Sequence, residues 1–197
     1  MIYLFGDSHA MFSFRNLPLE HTDLHCSSIT MFRIGRDKQI IHFNKDNLKI
    51  GDIVVLSYGE VDCRCHIQRQ INLGNHEDVV IQELVDNYFD TIKKNIVIDV
   101  KVVIVGIIPP TKQYDYEKIN GPIQHEFPFV GSDEDRVRFT RKVNNYMNEE
   151  ANKYGYIFFN PYSFYTREDG TLKYELSDTI VHIRNNSFFL NKFIELF

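Results

Sequence analysis

The sequence predicts an α/β fold in which helices cover both faces of a mostly parallel sheet, giving three layers. Short apolar runs alternate along the chain with longer segments that have helical periodicity. The apolar runs are continuous, which is typical of strands buried on both faces, as in parallel sheets flanked by helices. The sequence contains no internal repeat or low-complexity tract, and 197 residues is an ordinary length for one domain. We therefore expect a single domain over residues 1–197.

Four apolar runs predict the strands of this sheet. Each run is rich in β-branched or aromatic residues and is followed by glycine, proline or asparagine, which favour turns. The four runs are residues 2–5, 53–58, 102–108 and 156–159. A weaker candidate strand lies at residues 39–43.

Three further segments predict helices. Residues 78–96 place apolar side chains three and four positions apart, which gives a helix one buried stripe. Ser132 can cap a second helix that runs to about Lys153, and the three acidic residues after Ser132 suit its positive end. Residues 187–197 show the same spacing and predict a short closing helix. Residues 109–131, rich in proline and glycine, are expected to form a functional loop instead.

Composition limits the kinds of function that this chain can have. Lys and Arg total 22 against 27 Asp and Glu, a net charge of −5, so we expect no nucleic-acid partner. No apolar run approaches the length that spans a bilayer, so we expect no membrane insertion. The N-terminus lacks the basic start of a signal peptide, and three cysteines cannot all pair. These features favour a cytoplasmic location.

A serine at the end of the first predicted strand is a candidate nucleophile. The strand leads directly into Gly6-Asp7-Ser8-His9, and parallel sheets bind ligands at the carboxyl ends of their strands. If a helix begins near Ser8, its unpaired backbone N–H groups point to the same place and can hold an oxyanion. The alternative is that Asp7 or Ser8 only caps a helix, so this segment alone leaves both interpretations open.

An aspartate and a histidine near the other end of the chain supply what a serine nucleophile needs. Asp178 and His182 lie four residues apart, after the last predicted strand and before the last predicted helix. A nucleophilic serine needs a base, and the base needs a carboxylate that fixes its tautomer and stabilises its cation. An aspartate and a histidine in a surface loop are also common without any function. We therefore treat the trio Ser8, His182 and Asp178 as a hypothesis.

In these residues the chain resembles the SGNH hydrolases, also called GDSL-type esterases and lipases. Gly6-Asp7-Ser8 matches the first block of that family, and Gly35 falls where the second block has an oxyanion-hole glycine. Gly59-Glu60-Val61-Asp62 lies where the third block reads Gly-x-Asn-Asp, and Asp178 and His182 lie where the last block has its own pair. The resemblance implies a flavodoxin-like α/β/α sandwich, with a serine nucleophile, a histidine base and an aspartate that orients the base.

The third block departs from the family pattern. Val61 stands where the family has an asparagine that donates to the oxyanion. The oxyanion donors that the resemblance still implies are the backbone N–H groups of Ser8 and Gly35. We expect Arg64 to replace the lost donor, because a guanidinium carries several N–H groups. Glu60 and Asp62, from the same block, are expected at the oxyanion or substrate site.

The last block and the cysteines raise two further questions. The family reads Asp-x-x-His, one residue shorter than the spacing from Asp178 to His182, which leaves their contact open. Cys63-Arg64-Cys65-His66 suggests a metal site, but structural zinc sites use cysteines separated by two to four residues. We therefore expect no metal and no other cofactor.

The function implied by the resemblance is ester hydrolysis through an acyl-serine intermediate. We expect a small-molecule or glycan ester as the substrate, with a small acyl group such as acetyl on a carbohydrate. Three alternatives stay open: an O-acetyltransferase that uses the same site, a non-catalytic carbohydrate-binding module, and an interaction protein. Val61 and the longer Asp178–His182 spacing motivate the non-catalytic module.

Overall fold

The structure is a computed structural model that describes residues 1–123 and 126–197, and its centre is a parallel sheet. The sheet has five strands in the order β2-β1-β3-β4-β5, and every neighbouring pair is parallel. The strands are β1 (Ile2–Gly6), β2 (His21–Asp23), β3 (Ile53–Ser57), β4 (Lys101–Val105) and β5 (Ile157–Phe159). The chain runs from β1 to one edge and then returns to β3 on the other side. This reversal opens a crevice beyond the carboxyl ends of β1 and β3, where such sheets bind ligands.

Helices connect the strands and cover both faces of the sheet. They are α1 (Ser8–Ser13), α2 (Met31–Asp37), α3 (Ile67–Asn72), α4 (Glu77–Asn95), α5 (Gln113–Asn120), α6 (Asp133–Tyr154), α7 (Tyr162–Tyr165) and α8 (Ser187–Ile194). A π-helical turn, Asp62–His66, leads directly into α3. No helix in the two described ranges is long and apolar enough to cross a membrane.

Two apolar clusters, one on each face of the sheet, hold these layers together. Successive residues of a strand point to opposite faces, so Ile104 belongs to one cluster and Val103 to the other. The first cluster packs the sheet against α2, α4 and α6, and the second packs it against α1 and α8. The predicted α/β/α sandwich with a parallel, flavodoxin-like sheet is confirmed.

The helices predicted from apolar periodicity agree closely with the structure. The segment predicted at residues 78–96 is α4, and the one predicted at residues 187–197 is α8. The Ser132 hydroxyl accepts the N–H of Asp135, whose carboxylate accepts the N–H of Ser132 in return, so α6 begins with a capping box. Such reciprocal capping is why the start of α6 could be predicted from its sequence.

Several predicted boundaries were wrong. Residues 39–43 form turns instead of a strand, and the edge strand is β2, whose polar sequence gave no apolar signal. The run predicted at 102–108 ends as a strand at Val105, because the Asn144 side chain from α6 bonds both the N–H and the carbonyl of Ile107. The expected loop at 109–131 contains the helix α5. Gln124 and His125, within that expected loop, lie outside the described residues.

Candidate active site

Ser8 is the first residue of α1, directly after β1. Asp7 caps this helix, since its Oδ1 accepts the N–H of His9 at 2.8 Å. Gly6 permits the tight turn: a Cβ there would lie 2.2 Å from Cβ of Ala10 and 2.7 Å from the Ser57 carbonyl oxygen. The close approach of strand, turn and helix explains why a glycine precedes Asp7. It places the Ser8 side chain at the crevice between β1 and β3.

The structure brings Ser8, His182 and Asp178 together in a hydrogen-bonded line. Nε2 of His182 lies 3.0 Å from Oγ of Ser8, and Nδ1 of His182 lies 2.8 Å from Oδ2 of Asp178. A carboxylate only accepts, so Nδ1 carries the proton and the Nε2 lone pair faces the serine hydroxyl. A neutral His182 in this tautomer is ready to take the hydroxyl proton.

The longer spacing between Asp178 and His182 is absorbed by a tight loop. Oδ1 of Asp178 accepts the backbone N–H groups of Ile180 at 2.8 Å and His182 at 3.1 Å. Thr179 between them adopts a φ of 68°, in the left-handed region. The loop folds back on the carboxylate, so the extra residue does not carry Asp178 away from its histidine.

The electrostatic environment keeps His182 neutral and Asp178 charged. Burial lowers the pKa of His182, and the charge of His9 lowers it further, which together outweigh the hydrogen bond and charge of Asp178. Burial alone would raise the pKa of Asp178, but the hydrogen bonds from the His182 ring and from the backbone N–H groups of Ile180 and His182 outweigh it and lower that pKa. A neutral imidazole beside a carboxylate is the state that general-base catalysis requires.

Phe12 holds the plane of the His182 ring. The two rings stack at 4.1 Å between centroids with 9° between their planes. Ser8 and Phe12 are four residues apart on α1 and therefore share one face of the helix. The same helix turn thus presents both the hydroxyl and the ring against which the imidazole packs, a contact that no motif in the sequence predicts.

Gly35 does not occupy the predicted position in an oxyanion hole. It lies inside α2, where a backbone N–H is taken by the carbonyl four residues earlier. A Cβ at Gly35 would meet Cβ of Asn87 on α4 at 2.9 Å, so the glycine lets two helices pack closely. After β2 the chain returns to the end of β1 at Cys26, whose N–H donates to the Gly6 carbonyl at 2.8 Å. Ser28, two residues after Cys26, has a φ of 65°, which lies in the left-handed region that favours glycine.

Asp62 also has a different role from the one predicted. Its carboxylate is fully buried and accepts the N–H groups of Met31 at 2.8 Å and Phe32 at 3.2 Å. Burial raises the pKa of Asp62 to about 7. These contacts satisfy the first N–H groups of α2, so Asp62 fixes the start of that helix.

Glu60 and Arg64 form a buried ion pair next to the active site. Nε of Arg64 lies 3.0 Å from Oε1 of Glu60, and another guanidinium nitrogen donates to the Phe127 carbonyl at 2.9 Å. Both side chains are buried, and in the described part of the chain no hydrogen bond joins Arg64 to Ser8 or His182. The expected roles of Arg64 as an oxyanion donor and of Glu60 at the substrate site stay predictions.

The cysteines next to Arg64 are buried free thiols on the π-helical turn. Burial raises the pKa of Cys63 well above its usual value and that of Cys65 to about 12. Such thiols stay protonated at neutral pH and are poor nucleophiles. Cys63 is part of the apolar cluster under α4, so it packs as a small hydrophobic side chain.

Several solved structures have the same fold as this chain. A GDSL-like lipase from Bacteroides thetaiotaomicron superposes with a TM-score of 0.63 at 13% identity, over 99% of this chain and 85% of the lipase. Phospholipase A1 from Streptomyces albidoflavus superposes with a TM-score of 0.54 at 12% identity, over 98% of each chain. The C-terminal domain of the Drosophila Oskar protein superposes with a TM-score of 0.56 at 11% identity, over 98% of this chain and 83% of that domain.

The chain therefore has the fold of the SGNH hydrolases, as its sequence motifs implied. At these identities the likeness concerns the fold alone, and one fold can serve different functions. The sequence matches no protein-family model and no curated protein. What the site does is therefore argued from its residues.

Proposed function

We propose that this protein is a serine ester hydrolase of the SGNH type. The observation that carries the proposal is the line Ser8–His182–Asp178, with contacts of 3.0 and 2.8 Å, at the crevice where the sheet order reverses. A hydroxyl, a neutral imidazole and a charged carboxylate in this order form the set that activates a serine. The Phe12–His182 stack adds a fixed orientation for the base.

The proposed reaction has two acyl-transfer steps. His182 Nε2 takes the proton of Ser8 while Oγ attacks the ester carbonyl carbon, and the carbonyl oxygen becomes an oxyanion beside the Ser8 N–H. His182 then gives the proton to the leaving alkoxide, the C–O bond breaks, and acyl-Ser8 remains. Water attacks the acyl carbon with the same base, and the carboxylic acid leaves as Ser8 recovers its proton.

We propose a small acyl group, such as acetyl, on a carbohydrate as the substrate. The sequence has no extended apolar segment that could form a lid over a long acyl chain, which favours a small acyl group. Tyr114 on α5 and Tyr174, four residues before Asp178, are exposed, and aromatic faces suit sugar rings. Asn120 at the end of α5 donates to the Thr179 carbonyl at 2.8 Å, which keeps α5 beside the Asp178–His182 loop.

A nucleophile test decides whether the chain is a hydrolase. We expect Ser8→Ala to lower the rate of p-nitrophenyl acetate hydrolysis by at least about 10³-fold, because the acyl-enzyme cannot form. Ser13→Ala is the matched control, since Ser13 is a buried serine on the same helix and takes no part in the reaction. Mass spectrometry after treatment with a fluorophosphonate should place one adduct on Ser8. Equal rates for wild type and Ser8→Ala would leave a non-catalytic, carbohydrate-binding role.

The substrate class needs a separate test. Acetylated oligosaccharides should release acetate in the presence of the wild-type protein, measured by an enzyme-coupled acetate assay. If p-nitrophenyl acetate is cleaved by a Ser8-dependent route but no sugar ester is, the hydrolase proposal stands and the carbohydrate proposal is wrong. Transfer of the acetyl group to a free sugar hydroxyl, seen by mass spectrometry, would identify an O-acetyltransferase.

A further inference from the structure

A second buried histidine, His9, lies beside the catalytic pair and takes no part in the reaction described above. It follows Ser8 on α1 and is only 7% exposed. Its ring centroid is 4.6 Å from that of His182, with 52° between the ring planes. A buried imidazole in contact with the general base can influence where that base lies.

His9 links the start of α1 to the loop that carries the base. Its Nε2 lies 3.0 Å from the backbone carbonyl oxygen of Val181, the residue before His182. A carbonyl oxygen only accepts, so Nε2 of His9 carries the proton and donates. This hydrogen bond joins residues 172 positions apart in the sequence, directly next to both members of the Ser8–His182 pair.

Charged groups from two strand ends surround His9. Oδ1 of Asp7, after β1, lies 3.5 Å from Nδ1, and Oε2 of Glu60, after β3, lies 3.8 Å from Nε2. Burial opposes the charged imidazolium, and Arg64 opposes it as well, but Glu60 and Asp7 outweigh both and raise the pKa of His9. The two carboxylates thus favour a ring that is protonated on both nitrogens, which keeps the Nε2–H donor in place.

We propose that His9 is a positioning residue for His182, which its hydrogen bond to Val181 holds within reach of the Ser8 hydroxyl. This inference rests on the proposed hydrolase function. In the described residues, Ser8 and Phe12 of α1 contact the ring of His182, whereas His9 bonds the backbone of the loop that carries it. The His9–Val181 bond therefore ties the loop itself, and not only its imidazole, to α1. The ion pair with Arg64 holds the Glu60 carboxylate beside His9. Through His9, this pair therefore helps to position His182.

Two substitutions separate the hydrogen bond from the charge. His9→Gln keeps an N–H donor near the Nε2 position but carries no charge, whereas His9→Leu keeps an apolar side chain and no donor. We expect His9→Leu to lower kcat for p-nitrophenyl acetate by about 10- to 100-fold with little change in KM, because a small displacement of a catalytic group costs this much. His9→Gln should recover most of that loss. His21→Gln is the matched control, since His21 also bonds a backbone carbonyl, that of Leu19 at 2.7 Å, but on the edge strand.

NMR of histidine-labelled protein gives a readout that does not depend on activity. In His9→Gln the charge that lowers the pKa of His182 is gone, so His182 should titrate at a higher pH than in the wild type. In His9→Leu the Nδ1–H signal of His182, shared with Asp178, should shift or broaden as the loop moves. If neither signal nor kcat changes in His9→Leu, or if His9→Gln is as slow as His9→Leu, the positioning role is wrong. If Ser8→Ala hydrolysed the ester as fast as the wild type, the hydrolase proposal would be wrong. The NMR result would still show whether His9 positions His182.

Discussion

The pH dependence of the proposed reaction rests on one residue, His182. Burial and the charge of His9 lower its pKa, and Asp178 opposes them without cancelling them. A general base acts in its unprotonated form, so the rate should rise with pH through this lowered pKa and then level off. The midpoint of the rise should therefore lie below 6.5, the ordinary value for histidine.

Replacing Asp178 tests this electrostatic assignment. Asp178→Asn removes a group that raises the pKa of His182, so the midpoint of the kcat/KM profile should move to lower pH. The plateau should fall by on the order of 10⁴-fold, because the amide no longer fixes the tautomer in which Nε2 is free. The profile is measured with p-nitrophenyl acetate, and Asp37→Asn, an exposed aspartate on α2, is the control. An unchanged plateau would remove Asp178 from the mechanism.

Side chains in the site were easier to predict from the sequence than backbone groups. Ser8, Asp178 and His182 were found because their chemistry depends on residue type and order, and the structure brings them together. Gly35 was misassigned because glycine alone does not reveal whether it serves a backbone donor or a helix contact. The backbone conformation of Ser28 could not be predicted, since a serine gives no sign that its φ will be 65°.

The contact between α2 and α4 is an element-scale feature that the sequence did not reveal. Gly35 lies against Asn87, so α2 packs closely on α4. The start of α2 is held by Asp62. The position of α2 in turn fixes the π-helical turn that carries Glu60's partner Arg64. A glycine that packs two helices together thus supports the environment of the active site.

A double-mutant cycle tests this packing. Gly35→Ala should lower the free energy of unfolding by about 1–3 kcal/mol through overpacking, although alanine is the better helix former by about 1 kcal/mol. Asn87→Gly removes the Cβ that the new methyl group meets, so the double variant should be more stable than the sum of the two single effects predicts. Urea unfolding followed by circular dichroism measures all three variants. Additive effects would show that the two positions do not touch.

Elements with strong local signals could be predicted, and elements defined by their neighbours could not. The long helices α4 and α6 have an apolar stripe, and α6 also has a capping box. The edge strand β2 reads His-Thr-Asp and, within residues 1–123 and 126–197, pairs with β1 alone, so it needs no apolar run. Helix α5 has no buried residue in its eight positions, and its sequence therefore lacks the stripe that marks a helix.

At the scale of the whole molecule, the active site depends on the two ends of the chain packing together. Ser8 on α1 and His182 are 174 residues apart. Behind α1, Phe14 packs edge-on against Phe189 and Phe193 of α8, with centroids 4.9 and 4.8 Å away. The last helix therefore supports the first one, and the loop of His182 lies between them in sequence and in space.

Truncating this aromatic contact should weaken the fold and the site together. Phe193 is fully buried and also packs on Phe159 of β5, so Phe193→Ala should cost about 3–5 kcal/mol of unfolding free energy. Phe197→Ala is the matched control: its ring is 46% exposed, and its loss should cost less than about 1 kcal/mol. Thermal unfolding by circular dichroism and p-nitrophenyl acetate hydrolysis, measured on the same samples, should decline at the same reduced temperature in Phe193→Ala. Loss of activity at a temperature well below the unfolding transition would contradict this prediction. It would mean that α1 separates from α8 before the sheet unfolds.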